Sequence, residues 1–497
     1  MNTTRLPDRA LYLTLDQGGH ASRALVFDAC GRIIAADFQP IAVNHPRPDW
    51  VEHDPHELIT SLRTAISNVI TQIGARSKNI IAAGLATQRS SLACWDKTTG
   101  TALSPIISWQ DRRAHGELQP FESQHQAIHQ KTGLFLNAHY GASKLRWCLD
   151  HLPAIRTAQH NGTLICGPLA SFVLFHLLEE RPLLADPANA SRTLLWNIST
   201  GDWDDGLLTL FGIPRTLLPR CVPTRHHFGH LRINDLMIPL TLANGDQSAA
   251  LFAFGLPQAD TAYINVGTGA FVQRVTQQRP DHPRLLTSVV MQTAQHTTYT
   301  LEGTINGAAS ALQWAGKTLG VANVESNMEN WLGHHITQAS MRSTAPPLFL
   351  NGVSGLGAPY WIADFQSQFM GTGEVWEKMV AVVESIVFLL HTNLHEMESV
   401  YPAPHTIVIS GGLATLNGLC QRLADLSGQP VHRPAECEAT ARGTAFLLAG
   451  SGTISDCWSL HPEGDPAFIP GMIFTPSPNP ALQERYRLWQ QAMPKYL

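Results

Sequence analysis

The stretch LYLTLDQGGHASRALVFD, residues 11–28, joins two apolar runs through a short polar turn. The first run predicts a β-strand that ends in Asp16-Gln17-Gly18-Gly19, and the second predicts a returning strand. Glycine lets the backbone approach an anion closely, and successive N–H groups in such a turn can bind phosphate oxygens. The turn matches neither the P-loop nor the Rossmann G-x-G-x-x-G pattern. By itself it is therefore either a tight hairpin or a phosphate site.

The plan of strand, glycine-rich turn and strand recurs in the second half of the chain. Residues 260–275 carry the turn Gly267-Thr268-Gly269, and residues 404–428 run from a strand through Gly411-Gly412 into a helix. Three such turns at strand ends favour phosphate binding over three unrelated hairpins. The repetition predicts two related domains that close on a cleft. We place the boundary near residues 243–257, which gives domains of residues 1–250 and 251–497.

Alternating strand and helix patterns fill the first third of the chain. Residues 56–74 have apolar side chains at helical spacing, and residues 79–88 have the composition of a buried strand. This alternation favours an α/β architecture with active groups at the strand ends. Near the end of the chain, residues 462–480 are rich in proline and are expected to lie on the surface.

The bulk composition excludes several classes of protein. The chain has 497 residues, 44 % of them hydrophobic and 15 % charged, with a net charge of −5 and a pI near 6.5. These values indicate a globular protein of at least two domains and give no electrostatic sign of nucleic acid as a partner. No apolar run reaches the length of a membrane span, so no membrane partner is expected. Eight dispersed cysteines without a C-x-x-C pair, and no signal-peptide pattern, predict a reduced, cytoplasmic protein.

Asp246 lies in ANGDQSAA, after an apolar strand and before a run of small residues. Asp in such a position caps a helix well, and the spacing alone favours that role. The alternative is a general base in a cleft between the domains, which would take a proton from a hydroxyl group.

Two other strand ends carry polar and aromatic residues. One is Gln88-Arg89-Ser90-Ser91, and the other is Trp109-Gln110-Asp111-Arg112-Arg113. These residues either pair with nearby carboxylates or form a polyol pocket. In such a pocket Arg and Gln would donate hydrogen bonds to hydroxyl groups while Trp covers the carbon face.

The chain resembles the FGGY carbohydrate kinases over about residues 11–450, with the glycerol kinases as the most similar branch. The matching segments keep their order and include WVEHDP (50–55), ATQRSS (86–91), SWQDRRA (108–114), NASRTLLWNI (189–198), GDQSAALF (245–252), GTGAF (267–271), LEGT (301–304) and GLGAPYW (355–361). The resemblance implies an α/β fold of two actin-like (ASKHA, ribonuclease H-like) domains flanking an interdomain cleft. It also implies ATP and Mg²⁺ in the cleft, with the sugar or polyol on the first domain and the nucleotide on the second.

The resemblance assigns roles to individual residues. It makes Asp246 the catalytic base and Asp16 the carboxylate that holds Mg²⁺, with Asp246 beside the metal as well. It implies a substrate pocket formed by Arg89, Ser90, Trp109, His139, Asp246, Gln247 and Phe271. It implies a nucleotide site formed by Asp16, Gly18, Gly19, Arg23, Gly267, Thr268, Gly269, Gly411, Gly412 and Asn417.

The opening turn departs from the family, which normally has Asp-x-Gly-Thr-Thr-Ser there. Gly19 and His20 replace the two threonines, whose hydroxyl groups would contact phosphate. A hydrogen bond to a charged group contributes about 1.5–3 kcal/mol. Losing one would slow or weaken the reaction roughly ten- to a hundredfold. Backbone N–H groups of Gly18, Gly19 and His20 are expected to replace part of this contribution.

The substrate pocket departs as well. Ser90 stands where the glycerol kinases have Glu, and His139 stands where they have Tyr. A shorter, neutral serine makes room and removes an acceptor of hydrogen bonds. This change predicts a substrate other than glycerol, such as a four- or five-carbon polyol, a ketose or a substituted glycerol.

The resemblance therefore predicts an ATP-dependent kinase that moves the γ-phosphoryl group to a hydroxyl of a small sugar or polyol. The alternative is a nucleotide- or sugar-binding pseudokinase of the same fold with little transferase activity. The changes at Gly19 and His20 favour this alternative. Kinases of this family are often dimers or tetramers, which leaves a homodimer or a homotetramer open.

Overall fold

The computed structural model describes residues 10–338, 346–435, 438–450, 458 and 471–494, and two large β-sheets dominate it. The described strands are β1 (Leu11–Gln17), β2 (Ala21–Asp28), β3 (Ile33–Pro40), β4 (Glu52–His53), β5 (Ile80–Thr87), β6 (Leu92–Asp96), β7 (Ile106–Ile107), β8 (Leu164–Pro168), β9 (Leu184–Ala185), β10 (Trp196–Asn197), β11 (Asp202–Trp203), β12 (Arg220–Cys221), β13 (Arg225–Ile233), β14 (Leu236–Gly245), β15 (Thr261–Val266), β16 (Ala270–Thr276), β17 (Leu286–Gln292), β18 (Thr297–Ile305), β19 (Leu348–Leu350), β20 (Gln368–Met370), β21 (Thr406–Ser410), β22 (Val431–Arg433) and β23 (Met472–Phe474). The described α-helices are α1 (Pro55–Ile73), α2 (His125–Thr132), α3 (Gly141–His151), α4 (Pro153–His160), α5 (Leu169–Leu177), α6 (Pro187–Ala190), α7 (Asp205–Phe211), α8 (Asp246–Ala250), α9 (Ala309–Leu319), α10 (Val324–Gln338), α11 (Val375–Met397), α12 (Asn417–Ser427), α13 (Ala439–Ala449) and α14 (Pro480–Ala492).

The first sheet has the strand order β13-β14-β5-β1-β2-β3. Strands β1 and β2 form the expected hairpin, in which Asp16 lies opposite Arg23. Strand β1 is buried along its whole length and runs parallel to β5, which runs parallel to β14. Because parallel strands end at the same edge of a sheet, Asp16, Arg89 and Asp246 meet at one edge.

The second sheet repeats this arrangement, with the order β17-β18-β16-β15-β21-β22-β23. Strands β15 and β16 form the second glycine-tipped hairpin, and β15 runs parallel to β21. The core of the first sheet, β3-β2-β1-β5-β14, therefore has its counterpart in β18-β16-β15-β21-β22. This confirms the α/β fold of two related halves that the sequence predicted.

Helix α1 shows how local sequence sets these elements. The Asp54 side chain accepts hydrogen bonds from the backbone N–H groups of His56 and Glu57 at 2.7 and 3.1 Å, and Pro55 occupies the first turn. Gly74 ends the helix with a φ of 54°. Both signals are typical of helix ends, and the apolar face between them packs against the first sheet.

A smaller four-stranded sheet, β4-β7-β6-β8, lies within the first half of the chain. Trp109 follows β7, and helix α3 packs with β6 and β8 in one apolar core. This layer brings residues from three separate loops toward the edge of the first sheet where Asp246 lies. Cys94, Cys148 and Cys166 are buried together in its core.

Helix α13 comes from the second half of the sequence but packs on the first sheet and on α8. Phe446 and Leu447 share an apolar cluster with Leu25, Phe27 and Phe252. Glycines permit the closest approach. A Cβ at residue 443 would overlap the carbonyl oxygen of Ala249, and a Cβ at residue 84 would lie 2.8 Å from the Thr444 side chain. The two halves are thus joined by a tight helix pair.

The proline-rich stretch near the end of the chain is only partly described, since residues 459–470 lie outside the described residues. Strand β23 pairs with β22 at the end of the second sheet, where Met472 and Ile473 are exposed. The described part thus lies on the surface as expected, and it also adds a strand that the sequence did not predict. Within the described ranges, no helix combines the length and apolarity needed to cross a membrane.

We predict that Gly443→Ala lowers the free energy of unfolding by about 1–3 kcal/mol, because the new methyl group forces α13 away from α8. Thermal unfolding measures the change as a fall in Tm. Gly333→Ala is the matched control, since this helical glycine has nothing within 4 Å of an added Cβ, and it should stabilise α10 by roughly 0.5–1 kcal/mol. Equal Tm values for Gly443→Ala and the unmodified protein would contradict the tight helix contact.

Candidate active site between the two halves

Asp16 lies near the end of β1, and its carboxylate is almost completely buried. Arg23, on the opposing strand, donates to Asp16 Oδ2 at 3.2 Å. The Arg23 Nε atom lies 3.6 Å from Glu438, just before α13, so Arg23 links the two halves. Burial raises the pKa of Asp16 to about 7, and the nearby carboxylates of Asp246 and Glu438 raise it while Arg23 lowers it. The negative charge of the buried Asp16 carboxylate is therefore only partly balanced by Arg23.

Asp246 is the first residue of α8, and Gly245 occupies the N-cap position, so the spacing-based assignment of Asp246 as the cap is wrong. Its carboxylate accepts the N–H of Gln247 at 2.7 Å and remains partly exposed. Its carbonyl oxygen accepts a hydrogen bond from Thr440 Oγ1 of α13 at 3.4 Å. Asp246 thus lies where the halves meet. Burial raises its pKa, although Arg89 lowers it.

Asp16 and Asp246 lie close enough for the charge of Asp246 to raise the pKa of Asp16. Within the described ranges, no group of three or more His, Cys, Asp or Glu residues is arranged to hold a metal ion. The protein side of the site therefore offers two carboxylates. That number suits Mg²⁺, which usually takes one or two carboxylates and completes its shell with phosphate oxygens and water.

The glycines of the three turns differ in whether the fold requires them. A Cβ at Gly269 or Gly411 would lie 2.6 or 2.5 Å from a backbone carbonyl oxygen, so packing alone explains these two. A Cβ at Gly19 or Gly267 would have no neighbour closer than 3.7 Å, and one at Gly412 would have none within 4 Å. A side chain there would fill the open space beside the turns. These three glycines therefore fit a bound phosphate chain, which needs the backbone uncovered.

The opening turn offers fewer N–H groups than expected. Gly18 donates its N–H to the carbonyl of Ala21 at 3.0 Å. Because this hydrogen bond already uses the Gly18 N–H, the prediction that this N–H binds phosphate is wrong. Among the described residues, the N–H groups of Gly19 and His20 make no hydrogen bond. In the second hairpin, Thr268 is exposed, and the backbone around it is held by the start of α9.

Asn417, at the other end of the predicted nucleotide site, is the first residue of α12. Its side-chain oxygen accepts a hydrogen bond from Arg433 at 2.9 Å. This contact uses one lone pair of the Asn417 oxygen and holds the side chain in place. The preceding glycines, Gly411 and Gly412, lie beside the second hairpin because Gly411 packs against Val266.

The predicted substrate-pocket residues of the first half come together around Arg89. The buried Arg89 donates to the side-chain oxygen of Gln247, and its stem lies where a Cβ of Gly245 would be. The rings of Trp109 and His139 are 5.5 Å apart. Burial and the surrounding cations Arg192, Lys144, Arg112 and Arg89 lower the pKa of His139 well below its ordinary value. The imidazole is therefore neutral near pH 7.

The strand end at residues 88–91 connects the opening turn to this pocket. Gln88 donates its N–H to the carbonyl of Gln17 at 2.8 Å, and Ser91 Oγ accepts the N–H of Trp109 at 3.1 Å. Ser90 has a φ of 65°, a left-handed conformation that favours glycine, and its hydroxyl is buried without a hydrogen-bond partner among the described residues. Phe271 lies on β16, on the same face as Gln273 two residues later.

Lys144 holds three loops of the pocket together, and the sequence analysis did not identify this residue. It lies on α3 with no exposed surface, and its ammonium group donates to the carbonyls of Ser90, Ser108 and His139 at 3.2, 2.8 and 2.7 Å. The three acceptors come from three loops, and each is a pocket residue or the neighbour of one. A sequence signal existed: Lys144 falls on the apolar face of its helix, beside Leu145 and Cys148.

A buried cluster of charged side chains that includes Arg89 joins the two halves. Glu302, on β18 of the second sheet, has no exposed surface and lies 3.4 Å from Arg89 and 3.3 Å from Arg192. Gln273 adds a hydrogen bond of 3.0 Å to the same carboxylate. Although burial raises the pKa of Glu302, Arg192 and Arg89 hold it below the ordinary value. Arg192 and Glu302 belong to segments noted for their resemblance, but the sequence gave them no role.

Comparisons with known proteins match two successive parts of the chain. The family model of the FGGY carbohydrate kinases, N-terminal domain, matches residues 11–253, and that of the C-terminal domain matches residues 262–451. The glycerol kinase of Alkalilimnicola ehrlichii is 33 % identical over 492 residues, which cover 97 % of this chain and 97 % of that protein.

Two solved structures share the fold. The crystal structure of Plasmodium falciparum glycerol kinase with ADP has a TM-score of 0.85 at 24 % identity and covers 97 % of both chains. A xylulose kinase from Brucella ovis has a TM-score of 0.84 at 22 % identity, covering 97 % of this chain and 99 % of that one.

The raised pKa of Asp16 predicts a pH-dependent cost in stability. The folded-state value of about 7 lies above the ordinary value of 3.8. The contribution of this group to stability is therefore fully present below pH 3.8 and is lost as the pH rises through about 7. We predict that Asp16→Asn raises Tm at pH 8 without ligand, by about 1–2 °C for each kcal/mol recovered, and raises it less at pH 5.

Asp235→Asn is the control for this measurement, since Asp235 is exposed in the turn between β13 and β14. Its effect on Tm should not change between pH 5 and pH 8. If Asp16→Asn changed Tm equally at pH 5 and pH 8, as the control should, this would contradict the burial of the Asp16 carboxylate without a fully balancing positive charge.

Proposed function

This chain belongs to the FGGY family of carbohydrate kinases, and on that premise we propose that it transfers the γ-phosphoryl group of ATP to a hydroxyl group of a small sugar or polyol. The observation that carries the proposal is the meeting of Asp16, Arg89 and Asp246 at one sheet edge, facing the second half of the chain. The three turns with unobstructed glycines supply the place for phosphates.

Asp246 would act as the general base. Its carboxylate is anchored on one side by the N–H of Gln247 and is partly exposed, so one oxygen can accept the proton of a bound hydroxyl group. A raised pKa helps, because a base of higher pKa holds the transferred proton more firmly. Arg89 and Gln247, which contact each other, would orient the substrate beside it.

Asp16 and Asp246 are the residues that would hold Mg²⁺, which when bound neutralises charge on the phosphate oxygens. Among the described residues Asp16 has one cation in direct contact, Arg23, and burial raises the pKa of Asp16 to about 7, which a metal ion would counteract. The N–H groups of Gly19 and His20 would take over part of the task of the family threonines. The chain therefore keeps a phosphate hairpin of reduced donor strength.

The observations favour the kinase over the pseudokinase alternative. Both carboxylates, the buried arginines and the open turns support a kinase, and two curated glycerol kinases that match nearly the whole chain support it as well. Release of ADP from MgATP, measured with a panel of polyols, ketoses and sugar acids, tests the proposal directly. Thermal stabilisation by MgATP without turnover on any member of the panel would favour the pseudokinase.

We predict that Asp246→Asn lowers kcat by about 10²- to 10⁴-fold, because it removes the proton acceptor and keeps the shape of the side chain. Steady-state ADP release measures the change, and stabilisation by ATP without Mg²⁺ should persist, since the nucleotide turns are untouched. Asp235→Asn should leave kcat unchanged. Full turnover in Asp246→Asn would remove the general base from the proposal.

We predict that Lys144→Met raises the KM for the acceptor about ten- to a hundredfold and leaves the KM for ATP nearly unchanged, because the three pocket loops lose their common donor. Lys131→Met is the matched control, since Lys131 is partly exposed and pairs with Asp204 on the surface. Equal changes in the two KM values would show general destabilisation instead of positioning.

A further inference from the structure

Asn265 lies near the end of β15, two residues before Gly267, and it is exposed although most of the strand is buried. Its side-chain NH₂ group donates to Ser410 Oγ at 3.1 Å, and Ser410 Oγ in turn donates to the carbonyl of Ile264 at 3.4 Å. Because the serine hydroxyl has one proton and uses it on Ile264, it can only accept from Asn265. These two hydrogen bonds therefore determine which end of the Asn265 amide is the oxygen.

The Asn265 oxygen borders the open space at the second glycine turn. Its Oδ1 atom and the carbonyl oxygen of Gly269 are the atoms nearest to a Cβ at Gly267, and each would lie 3.9 Å away. Among the described residues, Oδ1 accepts no hydrogen bond. An amide oxygen without a donor thus lies beside the space that the proposed function gives to phosphate.

Asn265 occupies the same position in its hairpin as Asp16 does in the opening hairpin. Each residue comes two places before the first glycine of its turn, on an interior strand of its sheet. Each is paired with an antiparallel strand on one side and with a parallel strand on the other. The repeated fold therefore places an oxygen-bearing side chain at the same point of both hairpins, a carboxylate in the first and an amide in the second.

An amide oxygen is a poor direct partner for a phosphate group. Both only accept hydrogen bonds, so contact between them needs a donor or a cation in between. The Mg²⁺ ion that accompanies a nucleotide usually keeps several waters, and each of these can donate hydrogen bonds. A ribose hydroxyl group is another donor that a nucleotide offers. The position that Asn265 shares with Asp16, which is a proposed metal ligand, favours the waters of the metal.

We propose that Asn265 belongs to the nucleotide site and that its side-chain oxygen accepts a hydrogen bond from a water in the shell of Mg²⁺. This inference deepens the proposed function and rests on it. The second half of the chain then contributes a neutral oxygen to the metal, in addition to the carboxylates of Asp16 and Asp246 from the first half. Because the amide carries no net charge, it holds this water without repelling the phosphates as a third carboxylate would.

Binding of ATP, measured by isothermal titration calorimetry with Mg²⁺ and with excess EDTA, tests this inference without turnover. The ratio of Kd in EDTA to Kd in Mg²⁺ reports the contribution of the metal. We expect Asn265→Ala to lower this ratio about three- to tenfold, as the loss of one hydrogen bond predicts, and to change Kd in EDTA less than about twofold. Asn161→Ala is the matched control, because Asn161 is exposed at the C-terminal end of α4, and it should change neither Kd.

Asn265→Asp is a second variant, since it puts a carboxylate in place of the amide. We expect it to weaken the binding of ATP in EDTA, because the new charge repels the triphosphate, and to raise the ratio of the two Kd values. The Ser410 hydroxyl can donate to this carboxylate, so the contact between β15 and β21 is kept. Asn161→Asp makes the same change of charge away from the turns and should alter neither Kd.

The outcomes separate this inference from the proposed function. An equal loss of affinity in Asn265→Ala with and without Mg²⁺ would overturn the inference and indicate a ribose contact. A ratio that stays unchanged in both Asn265 variants would also overturn it, while the binding of MgATP would leave the proposed kinase intact. Failure of the unmodified protein to bind ATP under either condition would overturn both proposals.

Discussion

A single buried carboxylate shared by two arginines fixes the relation between the halves of this molecule. Glu302 reaches from the second sheet to Arg89 and Arg192 of the first half, and none of the three has appreciable exposed surface. Removing Glu302 would leave two buried arginines without their shared carboxylate, which typically costs several kcal/mol. The cluster therefore holds only when the halves are closed against each other. In that arrangement Arg89 fixes Gln247, and Gln247 follows Asp246 directly in α8.

The turns around this cluster contain glycines that packing requires and glycines that it does not. Gly411 and Gly269 leave no room for a side chain, whereas Gly19 and Gly412 face open space. The first pair keeps the second hairpin and the end of β21 in contact. The second pair leaves backbone uncovered for a ligand. The opening turn, where the family resemblance predicts two threonines, thus has a glycine without any packing requirement, which is consistent with a phosphate site built on backbone N–H groups.

The sequence predicted what depends on local pattern and missed what depends on distant partners. The hairpins at Asp16 and Gly267 were predictable because short apolar runs and glycine turns are local signals. The spacing around Asp246 indicated a cap, and only the family resemblance indicated a base. Lys144 and Glu302 remained without a role because their partners lie far away along the chain, up to 213 residues for Glu302 and Arg89. No local rule connects residues at such a separation.

The docking of α13 on the first sheet has a consequence for how the protein is made. Leu25, Phe27 and Phe252 find their apolar partners in Phe446 and Leu447. When the first half leaves the ribosome, those partners are still roughly 200 residues away, which at ordinary translation speeds is about 10–40 s. During that interval this apolar surface of the nascent chain stays exposed, because the helix that packs on it has not yet been synthesised. A chaperone that shields apolar surface would find its target on this face until α13 is synthesised.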